Sequence, residues 1–100
     1  VVLLTTGIAE EIPSKTTTLS AEPNPFKNFT TIRFSLQKPL KIKLVVTDIL
    51  GREVSVLKDG FSETGEQEIV FKNDDLPQGT YYITLSGEGF LQTIMVQIAR

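Results

Sequence analysis

The chain has 100 residues, 40% of them hydrophobic and 22% charged, with a net charge of −2. That is a single-domain length, able to bury about 65% of its unfolded surface and so to hold one core without covalent staples. Cysteine and histidine are both absent, which excludes disulfides, thiolate metal sites, thiol nucleophiles and the commonest general base.

The opening "VVLLTT" reads as the last strand of a preceding domain or as part of a linker. Its apolar run is far too short for a membrane-spanning helix or a signal-peptide core. Residues 7–18, "GIAEEIPSKTTT", are polar, acidic and threonine-rich, the composition of a linker. The chain thus divides into residues 1–18, the end of a preceding domain with its linker, and residues 19–100, one folded domain. With Val1 in place of a start methionine, the sequence reads as the C-terminal piece of something longer. Arg100 is then a natural terminus, and any export signal lies upstream.

In "EPNPF" (Glu22 to Phe26) two prolines stand one residue apart. Residues alternate in direction along a strand, so Pro23 and Pro25 remove donors from the same edge, and Pro25 holds Asn24 extended. This predicts a first edge strand over 19–26 that pairs on one side only, with Phe26 entering the core.

Period-two alternation then recurs along the chain. "TTIRFSL" places Ile32, Phe34 and Leu36 on one face, and "KIKLVVT" places Ile42, Leu44 and Val46 inward with Val45 outside. "REVSVL" offers Val54 and Val56, "QEIVF" Ile69 and Phe71, "TYYITL" Tyr81, Ile83 and Leu85, and "TIMVQIA" Ile94, Val96 and Ile98. Turn signals separate the runs: Gly51 in "DILGRE", Gly60 in "KDG", Gly65 in "ETGE", Pro77 and Gly79 in "DDLPQG", and Gly87 and Gly89 in "SGEG". Seven short strands in ~80 residues with short connections predict an all-β, antiparallel β-sandwich.

Chemistry is sparse. Glu63, Glu66, Glu68, Asp74 and Asp75 could offer hard oxygen ligands to calcium, but no EF-hand spacing is present and acids in turns are ordinarily solvated. No catalytic, cofactor-binding or metal-ligating residues are assigned. Lys27, Arg33, Lys38, Lys41 and Lys43 are basic with no acid between Glu22 and Asp48. They read either as a basic stripe for an anionic surface such as lipopolysaccharide or as a solvated face that discourages sheet aggregation. Nucleic acid is not expected, because no aromatic residues interleave with these charges. Tyr81 and Tyr82 point to opposite faces, and an outward Tyr82 could stack on sugar.

Taken as an ordered set, "EPNPF", "TTIRFSL", "VTDILGREV", "LPQGTYYITL" and the closing "TIMVQIAR" resemble the C-terminal sorting domain of the type IX (Por) secretion system, over about residues 17–100. The resemblance implies a seven-stranded immunoglobulin-like sandwich at the tail of a larger exported protein in a Bacteroidetes-type bacterium. It implies passage through the periplasm, docking on an outer-membrane translocon, and display at the cell surface or release. In many members a sortase removes the domain and joins the cargo to lipopolysaccharide. The motif residues carried over are Pro23, Asn24 and Pro25; Gly51, Arg52 and Val54; Gly79 and Tyr81; and Val96 and Arg100 in the final strand. That strand departs from the family pattern, since Ile94 and Met95 stand where a lysine is usual. The alternative is an accessory sandwich of a surface hydrolase, binding polysaccharide or spacing domains.

Overall fold

A computed structural model describes residues 18–99. The readings of residues 1–17 and of Arg100 lie outside the described residues. Seven strands follow one another: β1 (Ser20–Glu22), β2 (Phe29–Leu36), β3 (Leu40–Thr47), β4 (Glu53–Ser62), β5 (Gly65–Lys72), β6 (Gly79–Gly87) and β7 (Phe90–Ile98). They form a three-stranded sheet in the order β1-β2-β5 and a four-stranded sheet in the order β4-β3-β6-β7, with every strand pair antiparallel. The sheets pack face to face as the expected immunoglobulin-like sandwich.

The alternation sets the core. Ile32, Phe34 and Leu36 from β2 and Phe71 from β5 face Ile42, Leu44 and Val46 from β3, Tyr81, Ile83 and Leu85 from β6, and Val96 and Ile98 from β7. Each fully buried aliphatic side chain in this layer contributes roughly 1.5–3 kcal/mol. Phe26 also enters the core, edge-on to Phe71 with ring centroids 5.7 Å apart.

The structure corrects the sequence reading at four points. Pro23 and Pro25 lie beyond β1, which ends at Glu22, so they shape a connection rather than a strand. Gly60 is paired with Ile42 inside β4, and the chain turns only at residues 63–64. Along β4 the pairing steps from Leu44↔Lys58 to Val45↔Val56, and from Val46↔Ser55 to Thr47↔Glu53, leaving Leu57 and Val54 as extra residues. These two bulges re-aim the strand, so Val54 and Leu57 pack on the core while Val56 is exposed. The basic stripe is divided. Arg33 lies on the outer face of the three-stranded sheet, paired with Glu68 at 2.7 Å. Lys43 lies on the outer face of the other sheet, 3.7 Å from Glu53.

Candidate functional site

Three connections, residues 23–28, 48–52 and 73–78, lie at one end of the sandwich together with the end of β7. The motif residues carried over by the resemblance, Arg100 apart, belong to this pole or to the strand ends beneath it, whereas Lys38, Glu63, Gly65, Gly87 and Gly89 lie at the other end. Two substructures build it, an arch and a hairpin turn.

The arch is the segment from Pro23 to Phe26, crossing from the three-stranded sheet to the edge of β7. Phe26 pairs with β7 like a one-residue parallel strand: its amide donates to the Gln97 carbonyl at 3.0 Å, and the Ala99 amide donates to its carbonyl at 2.8 Å. Asn24 extends the same pairing with its side chain. Its Nδ2 donates to the Met95 carbonyl and its Oδ1 accepts from the Gln97 amide, both at 3.0 Å. A side-chain amide carries one donor and one acceptor side by side, so it can mimic a peptide unit against a strand edge. Behind the arch, the buried Thr30 hydroxyl donates to the Pro23 carbonyl at 2.8 Å. A proline-flanked asparagine suits this place, because Pro23 and Pro25 have no amides that would need partners here.

The hairpin turn joins β3 to β4. The Gly51 amide donates to the Asp48 carbonyl and the Asp48 amide donates to the Arg52 carbonyl, each at 3.0 Å. Gly51 has φ of 84°, the left-handed conformation that closes a three-residue hairpin loop. Asp48 organises the turn: its Oδ1 accepts from the Leu50 amide at 2.9 Å and the Arg52 amide at 3.0 Å, while its Oδ2 pairs with the Arg52 Nε at 3.0 Å. These contacts hold the carboxyl below its ordinary value of 3.8, the Arg52 amide foremost, against a partial desolvation that acts the other way. The turn therefore lifts two apolar side chains into solvent, with Ile49 at 69% and Leu50 at 72% exposure.

Gly79, with φ of 152°, begins β6 opposite Ile98. Tyr81 pairs with Val96 across the β6–β7 ladder, and its hydroxyl donates to the Pro77 carbonyl at 2.7 Å. This ties the connection between the two sheets to the strand that follows it, in the manner of a tyrosine corner. Tyr81, Val96 and Val54 face the core, so they support the pole from beneath, whereas Pro23, Asn24, Pro25, Gly51 and Arg52 form its surface. Tyr82 is half-buried on the outer face between Thr47 and Met95, with no second ring beside it to make a sugar platform among the described residues. No cluster of three or more acidic side chains that could hold a metal ion occurs among the described residues.

Asp48, Ile49, Leu50 and Thr30 were not singled out in the sequence. Asp at the first position of a turn and two apolar residues at its tip, where polar ones are usual, are the signals that would have found the first three. Thr30 carries no such signal, since its hydroxyl partner is fixed only by the fold.

Residues 22–98 match the family model of the secretion system C-terminal sorting domain. The span runs from the last residue of β1 to the last of β7 and takes in both substructures of the pole. Among curated proteins none matches the chain.

Proposed function

The chain belongs to the family of secretion system C-terminal sorting domains, and we propose that it is the folded address by which a larger exported protein reaches the outer-membrane translocon of a type IX system. The cargo crosses the periplasm and ends at the cell surface or outside the cell. The domain acts by recognition rather than catalysis. The observation that carries this reading is the family match, which spans all seven strands apart from the first two residues of β1.

The surface that the translocon reads is, in this proposal, the pole built by the arch and the β3–β4 turn. Ile49 and Leu50 are exposed apolar anchors on a rigid, internally bonded turn, beside a guanidinium already oriented by Asp48. Apolar anchors held in one geometry bury surface at little ordering cost, which is what a docking contact requires. A sortase that removed the domain would cut on the N-terminal side of β1. The division of the basic residues between the two outer faces argues against a lipopolysaccharide contact by the domain itself.

The test is to fuse the full chain behind a periplasmic reporter in a type IX-competent host. The reporter should appear at the surface or in the medium, and a reporter that stays periplasmic refutes the reading. Ile49→Asp with Leu50→Asp should lower export without changing the unfolding curve of the domain. Undiminished export of that variant would remove the turn from the contact surface.

A further inference from the structure

The four sheet edges are not equally protected. β1 is three residues long and runs into Pro23. β4 carries two bulges, and β5 presents Glu66, Glu68 and Lys72. β7 has none of these devices: residues 90–99, "FLQTIMVQIA", contain no charge and no proline, and β7 pairs with β6 without a register shift. A long, regular, uncharged edge is the kind that recruits another strand.

Among the described residues only the arch covers it, and only in part. Backbone groups of alternate residues point to the same side of an antiparallel strand. The arch takes the Met95 carbonyl, both groups of Gln97 and the Ala99 amide. By that alternation the outward groups on the rest of the edge belong to Leu91 and Thr93, with the Met95 amide. The hairpin turn at residues 88–89 ends this open window on the other side.

We propose that this window pairs with the same window of a second copy, antiparallel and centred on Thr93. In that register the Thr93 amide of each copy meets the Thr93 carbonyl of the other. Leu91 of each copy lies opposite Met95 of the other, so the remaining amides find carbonyls as well. The Met95 carbonyl has a second lone pair for this bond beside the one that Asn24 uses. The side chains agree with the register. Leu91 and Met95 are 68% and 52% exposed and project from the outer face on either side of Thr93. The two-fold therefore lays each apolar side chain of one copy on the unlike one of its partner, with no charge brought into opposition. The two arches flank the paired window and limit it to about five residues per copy, which places the dissociation constant on the order of 0.1–1 mM.

Sedimentation of the 100-residue chain over rising concentration tests this. The mass should climb toward that of a dimer near 1 mM. Thr93→Pro removes an outward amide without touching the β6 ladder and should leave a monomer. Leu91→Lys with Met95→Lys opposes like charges and should also abolish the dimer. Leu91→Lys with Met95→Glu sets lysine against glutamate in this register and should restore it, more weakly as salt is added. Both double variants leave the inward faces intact, so matching unfolding curves at low concentration control for folding. A wild-type chain monomeric throughout overturns the proposal, as does a Lys/Lys variant that still dimerises or a Lys/Glu variant no better than Lys/Lys. A chain that stays monomeric but binds a strand of another protein at this edge overturns it equally.

Discussion

Replacing Asn24 by alanine tests whether the arch is a true clamp on the last strand. The substitution removes two hydrogen bonds of 3.0 Å, one from Nδ2 to the Met95 carbonyl and one from the Gln97 amide to Oδ1. Each intramolecular hydrogen bond contributes about 0.5–1.5 kcal/mol net. Asn24 is exposed and water can replace it, so each bond falls at the foot of that range, about 0.5–0.75 kcal/mol, and the pair contributes about 1–1.5 kcal/mol. For a domain of this size the loss corresponds to a Tm lower by about 4–12 °C. Thermal unfolding followed by circular dichroism gives the global figure, and amide exchange at Gln97 gives the local one. The Gln97 amide should lose its protection far more than the amides of β3 do. A Tm within about 2 °C of the parent, with Gln97 exchange unchanged, would refute the clamp. Thr30→Val removes the other support of the arch, the bond to the Pro23 carbonyl. Because both bonds hold one segment, the double variant should lose less than the sum of the single losses, by at least about 0.5 kcal/mol.

Two further outcomes concern the β3–β4 turn. The Asp48 carboxyl has a folded pKa below its unfolded value, so its contribution to stability is present above about pH 4 and is lost as pH falls through the depressed folded value. Asp48→Asn should therefore flatten the fall of the urea midpoint between about pH 5 and pH 2, and an unaltered pH profile would show that the carboxylate contacts do not persist in solution. Gly51 has a positive φ and open space where a Cβ would sit, so Gly51→Ala should cost about 1–2 kcal/mol from the backbone alone. Gly51→Asn should recover a good part of that in urea unfolding, and equal losses for the two would mean that the turn relaxes to another conformation.

The sandwich was legible because β2, β6 and β7 each bury one face more deeply than the other, so their alternation is strict; central β3 keeps the period, but Val45 on its outer face is buried too, at 8% exposure, where the sequence placed it outside. Edge strand β4 was not legible, because two bulges shift its phase and no local residue announces them. A reader of "REVSVLKDG" sees Val54 and Val56 in step and a turn at Gly60, whereas pairing with β3 puts Leu57 inward and runs the strand to Ser62. The prolines misled for a related reason. Missing donors fit an edge strand, yet they fit equally a crossing segment whose amides would otherwise be exposed, and only the contact of Asn24 with β7 decides between them. At the pole the glycines and Tyr81 stood out in the sequence, while Asp48 is identified by hydrogen bonds to residues two and four positions away. The basic run appeared continuous because sequence order does not show that Arg33 and Lys43 leave the sandwich on opposite sides.

The arch also bears on how the domain comes apart. Its Asn24 contacts join residues 71 and 73 positions apart, nearly the whole length of the folded chain. Closing a loop that long in an otherwise open chain costs about 4 kcal/mol of entropy, so these bonds form after the nearer strands have already drawn the two ends together. Interactions made late in folding leave the refolding rate almost untouched and act on the escape from the native state. A loss of about 1–1.5 kcal/mol at Asn24 thus translates into unfolding about five- to twelvefold faster, with refolding unchanged. The asparagine between two prolines governs the lifetime of the folded domain more than the speed with which it is reached.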